Sequence, residues 1–129
     1  MPLLRIDIYE GRTDEEIKTM LDALHKAMLD AFDVPVRDRY QIVHQHRAAT
    51  MIMEDTGLDI PRTDKFVMVQ VTTRPRSRAM KEDFFRRACD ELEKASGIAP
   101  SDVMINFVTC EDEDWSFGMG RAQFLTGEL

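Results

Sequence analysis

Polar and apolar residues alternate from Leu3 to Tyr9, which predicts a β-strand with one buried face near the start of the chain. Apolar residues then recur every three or four positions from Ile17 to Phe32, the spacing of an amphipathic helix. Thr13, followed three residues later by Glu16, matches a capping box and predicts where this helix begins. The helix is expected to end near Pro35, because proline cannot continue a helix and restricts the residue before it.

The second half of the chain repeats this order of elements. The further predicted elements are strands at Tyr40 to Gln45, Phe66 to Thr73 and Val103 to Val108, and a helix with apolar positions from Met80 to Ala95. Arg76-Ser77 stands 64 positions after Arg12-Thr13, and in the same register Asp38 matches Asp102. A period of this length indicates the duplication of one βαβ unit.

Two βαβ units predict an α/β fold, an α+β sandwich in which a four-stranded sheet carries both helices on one face. We expect a single domain over residues 1–129, with right-handed crossovers, repeats at about 2–47 and 66–109, and a tail at 110–129. Turn residues mark the connection from Ala48 to Asp64, in which Met51-Ile52-Met53 is a candidate for a short extra strand.

The tail from Glu111 to Leu129 combines glycines with large apolar side chains and predicts a turn-rich hairpin. One domain of this size can hardly bury all of these side chains by itself, so we expect the tail to pack against another subunit. The side chains concerned are Trp115, Phe117, Phe124 and Leu125.

The composition is that of a soluble globular protein, with 43% hydrophobic and 32% charged residues. A formal net charge of -7 argues against nucleic acid as a partner, because phosphate binding needs a dense basic face. The apolar stretches are too short to span a membrane, and the first residues do not resemble a signal peptide. Two cysteines are too few for a disulfide framework, so the cytoplasm is the expected compartment.

One cationic segment, Arg74-Pro75-Arg76-Ser77-Arg78, stands out in this acidic chain and predicts a local anion-binding spot, unless it is only a solvated loop. Arg74 and Arg76 are two residues apart, so both would point to one face of a continuing strand. Two planar guanidinium groups suit the bidentate binding of a carboxylate.

Pro2 is the other candidate for chemistry, because the initiator methionine is normally removed before proline and a free secondary amine then ends the chain. An α-amino group titrates near pH 8, far below lysine, and burial or a nearby cation lowers its pKa further. Such an amine can act as a general base, a general acid or a nucleophile. Proline at this position is also common in proteins where it has no catalytic role.

Together with the βαβ duplication, Pro2 and several longer motifs make the chain resemble the tautomerase superfamily, in particular its malonate semialdehyde decarboxylase branch. The more discriminating motifs are Arg37-Asp38-Arg39-Tyr40-Gln41 and Arg74-Pro75-Arg76-Ser77. Further matching segments are Glu10-Gly11-Arg12-Thr13-Asp14, Gln45-His46-Arg47, Glu54-Asp55-Thr56-Gly57-Leu58, Asp114-Trp115-Ser116-Phe117-Gly118 and Phe124-Leu125-Thr126-Gly127.

The resemblance implies a homotrimer that binds a small carboxylate substrate and decarboxylates malonate semialdehyde without a cofactor. Pro2 would be the catalytic amine and Asp38 its acidic partner, while Arg74 and Arg76 would bind the substrate carboxylate. An apolar wall around the reacting group is implied at Trp115, Phe117, Phe124 and Leu129.

Several alternatives stay open at this point. The Asp38 side chain, like that of Asp102, would have only a local role if it bonded its own backbone at the start of a strand. The same site would also suit keto-enol tautomerisation of a 2-oxo acid, or hydration or dehalogenation of a 3-substituted acrylate. A ligand-binding or signalling protein with an incidental Pro2 is the non-enzymatic alternative. His44 and His46 share one strand face, but no third metal ligand is suggested, so no metal site is predicted.

Overall fold

The computed structural model describes residues 1–129 and contains one four-stranded sheet in the order β2-β1-β3-β4. Each half of the chain supplies two strands and one long helix, as the sequence predicts. The elements are β1 (Leu3–Tyr9), α1 (Asp14–Phe32), β2 (Tyr40–His46), β3 (Val67–Thr73), α2 (Arg78–Ser96) and β4 (Val103–Thr109).

The two helices begin and end in similar ways, as the repeat in the sequence predicts. Thr13 caps α1 in a complete capping box with Glu16, and Ser77, 64 residues later, caps α2 by accepting from the Met80 backbone N–H. Both helices end on a residue in the left-handed conformation, Asp33 in α1 and Gly97 in α2. The predicted βαβ duplication and the predicted four-stranded fold are therefore confirmed.

The register of β1 determines which chain segments meet at one edge of the sheet. β1 pairs in parallel with β2, with Leu3 opposite Tyr40, and antiparallel with β3, with Leu3 opposite Thr72. The residues just before β1 therefore lie near those just before β2 and those just after β3. This register brings the N-terminus, Asp38 and Arg74 to the same edge.

The core lies between the two helices and one face of the sheet. Leu4, Ile6 and Ile8 alternate into it from β1, and the rings of Phe32 and Phe84 stack at 5.4 Å between the helices. The opposite face of the sheet carries no helix. It leaves large apolar side chains exposed to between 38% and 41%, namely Tyr40, Ile42, Met104 and Val108.

The predicted hairpin in the tail is wrong. The tail forms a 3₁₀ turn at Asp112–Asp114 and a one-turn helix, α3, at Gln123–Thr126. The Gln123 side chain accepts from the Phe117 backbone N–H at 3.0 Å and donates to the Gly118 carbonyl at 2.9 Å. These side-chain bonds satisfy the backbone groups that a second strand would otherwise pair.

The candidate extra strand at Met51-Ile52-Met53 is also absent. Met51 is buried against the fold, and its carbonyl accepts a 2.6 Å hydrogen bond from the Tyr9 hydroxyl instead of pairing with a strand. None of the helices has both the length and the apolar character that crossing a membrane would require.

Candidate active site

The terminal amine lies beside a buried carboxylate. In the chain that retains Met1, the amino nitrogen is 3.7 Å from Oδ2 of Asp38, and Pro2 is buried directly behind it at the start of β1. Burial lowers the pKa of this amine, while the negative charge of Asp38 opposes that shift and Arg76 and Arg74 add to it. Removal of Met1 would leave the Pro2 nitrogen as the terminal amine at the same edge of the sheet.

Asp38 is 4% exposed, and neither of its carboxylate oxygens has a hydrogen-bond partner. Its backbone N–H donates to the Pro35 carbonyl at 2.9 Å, so the turn that precedes β2 does not depend on the Asp38 side chain. Burial raises the pKa of the Asp38 carboxyl, and the positive charges of the terminal amine and Arg76 partly offset this effect. A buried carboxylate without partners costs folding free energy, which favours a chemical role over a structural one.

His25 supports the same turn from α1. Its Nε2 lies 3.0 Å from the Val36 carbonyl, which can only accept, so this nitrogen is the donor. The other ring nitrogen, Nδ1, is buried without a partner. All the buried side-chain polar atoms that lack a hydrogen-bond partner thus belong to His25 and Asp38.

Arg74 follows directly after β3 and is held by the tail. Its Nε donates to Oδ1 of Asp112 at 2.5 Å, and its Nη2 donates to Oδ2 at 3.2 Å, which makes a bidentate ion pair. The guanidinium carbon lies 4.2 Å from the centre of the Phe124 ring. Arg74 therefore has a fixed orientation, but part of its hydrogen-bonding capacity is already used.

Arg76 has a different environment. Its Nε donates to the hydroxyl of the fully buried Thr73 at 3.1 Å, and its guanidinium lies 5.0 Å from the Phe32 ring centre. Its two terminal nitrogens have no partner in the chain, so they are free to bind an anion. Burial, followed by the charge of Arg74, lowers the pKa of Arg76, yet an arginine remains charged in proteins.

Four aromatic rings pack around Phe117 and reach Arg74 through Phe124; we call this group the aromatic row, and it consists of Tyr40, Phe117, Trp115 and Phe124. The Phe117 ring contacts each of the others, with centroid distances of 6.0 Å to Tyr40, 5.5 Å to Trp115 and 5.4 Å to Phe124. Leu129 was expected in the same wall, but it is 63% exposed at the end of the chain. Within one chain, the structure therefore brings together three of the four predicted apolar residues.

A cleft of about 730 Å³ opens between the two arginines and the tail. Its lining consists of Arg74, Pro75, Arg76, Glu111, Asp112, Glu113 and Leu125. Pro2 and Asp38 do not line it. The cleft combines two cationic side chains with three carboxylates, so it suits a small polar ligand better than an apolar one. An anion would be bound at its arginine side.

The two histidines that share a face of β2 both lie near one carboxylate. His44 and His46 flank Asp7 on the uncovered sheet face, with nitrogen-to-oxygen distances of 3.7 Å and 2.6 Å. No group of three or more histidine, cysteine, aspartate or glutamate side chains has the geometry to hold a metal ion.

Three residues of the site were not predicted from the sequence. His25 lies on the apolar face of a helix and carries no motif, and Asp112 lies in an acidic run that resembles a solvated surface. Thr73 belongs to a strand, and only the structure shows that its buried hydroxyl accepts from Arg76.

Comparison with known proteins agrees with this geometry. Two family models described as tautomerase enzyme match residues 38–118 and residues 2–59. The chain is 48% identical to the probable tautomerase YrdN of Bacillus subtilis (strain 168), over 100% of both chains.

Solved structures give a finer comparison. The chain is 51% identical to a malonate semialdehyde decarboxylase described with decarboxylase and hydratase activities, covering 98% of each chain with a TM-score of 0.97. A malonate semialdehyde decarboxylase inhibited by 3-bromopropiolate is 38% identical, with a TM-score of 0.94 over 98% of this chain and 97% of that one. A fused 4-OT described as a symmetric trimer shares the fold at 20% identity, with a TM-score of 0.78 over 97% of this chain and 98% of that one.

Proposed function

The chain belongs to the tautomerase superfamily, in its malonate semialdehyde decarboxylase-like branch, and on that premise we propose that it converts malonate semialdehyde (3-oxopropanoate) into acetaldehyde and carbon dioxide. The amine of Pro2, freed by removal of Met1, would be the catalytic group. The observation that carries the proposal is the buried Asp38 carboxylate, which has no hydrogen-bond partner and lies 3.7 Å from the amine of Met1, next to Pro2. The structures at 51% and 38% identity are described as enzymes of this activity, which supports the choice of substrate.

The two arginines would orient the carboxylate. Arg76 offers its two free terminal nitrogens, and Arg74 is fixed by Asp112 at the end of the same strand. Tight binding of the carboxylate stabilises the ground state as well as the transition state. Orientation of the bond between C1 and C2 is therefore the role that we assign to them.

The amine would stabilise the negative charge that develops on the C3 carbonyl oxygen as carbon dioxide departs. As the bond between C1 and C2 breaks, its electron pair moves toward the C3 carbonyl, where a protonated Pro2 stabilises the enolate oxygen. Protonation at C2 then gives acetaldehyde. A neutral Pro2 would achieve the same through an iminium ion, which water hydrolyses after C2 is protonated. At the amine of Met1, burial favours the neutral form and Asp38 favours the protonated form. A Pro2 amine at the same place would meet both influences, which suits either route.

The aromatic row would exclude water from the reacting atoms. Trp115, Phe117 and Phe124 are half-buried and contact one another, and the Phe124 ring packs against the Arg74 guanidinium. An apolar wall beside the carboxylate favours the conversion of a charged group into neutral carbon dioxide. Leu129 would join this wall only if the chain end moved or a neighbouring subunit covered it.

Hydration of a 3-substituted acrylate is the second candidate, and the free Asp38 carboxylate favours it. A carboxylate with no protein partner can accept a proton from water and so activate it for attack. Keto-enol tautomerisation of a 2-oxo acid needs the same amine and the same pair of arginines, so it stays within the proposal as a side activity.

We propose a homotrimer as the assembly. The uncovered sheet face exposes Tyr40, Ile42, Met104 and Val108, and the exposed tail residue Leu125 adds to the apolar surface. Such surface is typical of a subunit contact. We also assign the protein to the cytoplasm, since its two cysteines are unpaired.

Incubation of the purified enzyme with malonate semialdehyde, followed by an assay of acetaldehyde, tests the proposal. We expect acetaldehyde at a rate that the Pro2→Ala variant loses. Release of acetaldehyde at an unchanged rate by Pro2→Ala would refute the role of the amine. Hydration of a 3-substituted acrylate without acetaldehyde release would instead select the second candidate.

A further inference from the structure

The anion-binding cleft contains a carboxylate of its own. Asp112 accepts hydrogen bonds from the Nε and one terminal nitrogen of Arg74, at 2.5 Å and 3.2 Å, and so forms a bidentate pair. This is the geometry in which an arginine would otherwise bind a substrate carboxylate. A ligand in the cleft can therefore use only what Asp112 leaves free on Arg74, whereas both terminal nitrogens of Arg76 remain available.

The formal charges of the cleft also favour a ligand with a single carboxylate. Arg74 and Arg76 contribute two positive charges, while Glu111, Asp112 and Glu113 contribute three negative ones in the same lining. One carboxylate of a ligand can be bound by Arg76 and the rest of Arg74. A second carboxylate would face the acidic side of the cleft and be repelled.

We propose that Asp112 is a specificity-determining residue that restricts the site to ligands with a single carboxylate. By neutralising Arg74 and fixing its orientation, it leaves the cleft with one effective cation, carried by Arg76. Malonate semialdehyde is a monoanion and meets this restriction. The inference rests on the proposed carboxylate-binding role of the two arginines and adds a limit on the charge of the ligand.

Trp115 allows ligand binding to be followed without any turnover. It is the single tryptophan of the chain and is linked through Phe117 and Phe124 to Arg74, with a distance of 4.2 Å for the last contact. The test is a fluorescence titration with propanoate, a monoanion, and malonate, a dianion at about pH 8. The wild type is expected to bind propanoate more tightly, and Asp112→Asn should shift the ratio of the two dissociation constants toward malonate by about tenfold.

Two control variants separate this effect from a general loss of negative charge. Glu113→Gln removes one charge from the same lining without touching Arg74, and it should shift the ratio by clearly less than Asp112→Asn does. Asp112→Glu keeps the charge and should keep the preference for propanoate. Asp112 is 42% exposed, so these substitutions are not expected to prevent folding.

An unchanged ratio in Asp112→Asn, or an equal shift in Glu113→Gln, would overturn the inference. Its failure is distinguishable from that of the proposed reaction. Acetaldehyde release with an unchanged ratio would refute only the role of Asp112. A shifted ratio without acetaldehyde release would support the charge rule and refute the decarboxylation.

Discussion

Asp38 and Asp102 occupy equivalent positions 64 residues apart in the two repeats, and both are buried, yet only Asp102 has hydrogen-bond partners for its carboxylate. Asp102 accepts from the backbone N–H of Thr63 at 2.7 Å and from the Thr63 hydroxyl at 2.5 Å. Asp38 accepts from no protein group and lies instead beside the amine of Met1, next to Pro2. The duplicated aspartate therefore stabilises the fold in the second repeat and remains free for chemistry in the first.

Substitution of each aspartate by asparagine tests this division. Asp38→Asn should lower turnover by about 100-fold or more and leave the free energy of unfolding unchanged or raised, because it removes a buried charge without breaking a hydrogen bond. Asp102→Asn should cost about 1–3 kcal/mol of stability, since the amide keeps only one acceptor oxygen for the two donors of Thr63 and loses the charge that strengthens both bonds. Urea unfolding and steady-state rates measure both effects. Equal loss of stability in the two variants would contradict the division.

The pH dependence of stability gives a second test of Asp38. Its folded-state pKa is raised by burial above the ordinary value, so its contribution to stability is full below about pH 4 and is lost as the pH rises through the folded-state pKa. Wild type and Asp38→Asn should therefore melt alike in acid. The variant should become the more stable of the two toward neutral pH. A difference in melting temperature between the two proteins that grows toward acid pH would contradict the raised pKa of Asp38.

The two arginines of the cleft are expected to contribute unequally to substrate binding. Arg76→Ala should raise the KM for malonate semialdehyde by about 10- to 100-fold, the effect of losing a charged hydrogen-bond partner. Arg74→Ala should raise it less, because Asp112 already occupies part of that guanidinium. Arg78→Ala, in the same basic segment but at the start of α2, is the control and should leave KM unchanged. Normal KM values in all three variants would exclude the cleft as the carboxylate site.

The assembly can be tested on the uncovered sheet face. Light scattering should give three times the mass of one chain for the wild type. Ile42→Glu places a charge on that face and should reduce the mass to that of a monomer. Leu58→Glu substitutes a side chain that is 68% exposed outside the sheet, and the variant should remain trimeric. A monomeric wild type would refute the trimer.

The fold follows from local signals that the sequence carries twice. The capping residues Thr13 and Ser77, the apolar spacing of the helices and the alternation in Leu3–Tyr9 each predict one element, and the repeat predicts their arrangement. The hairpin predicted for the tail is wrong, because glycines and aromatic residues are typical of hairpins as well as of the turns that the tail forms. Its actual path depends on the Gln123 side chain, whose bonds to the backbone no pattern of hydrophobicity reveals.

The site was predictable only in part, for a similar reason. The motifs around Pro2, Asp38, Arg74 and Arg76 could be assigned by resemblance, and the register of β1 explains why they meet at one edge. The pairing of Arg74 with Asp112 joins residues 38 positions apart through the course of the tail. Likewise, Asp38 and Asp102 follow similar turns, so only the tertiary structure shows which of them lacks partners.

The most direct test of the central claim combines intact mass with product analysis. The purified protein is weighed by mass spectrometry to establish that Met1 is absent, and acetaldehyde is then measured with malonate semialdehyde for the wild type and for Pro2→Ala. We expect a mass without Met1, acetaldehyde release by the wild type, and a loss of about 100-fold or more in Pro2→Ala with an unchanged melting temperature. Retention of Met1 in a protein that still releases acetaldehyde would contradict it, because an acylated proline nitrogen is neither basic nor nucleophilic.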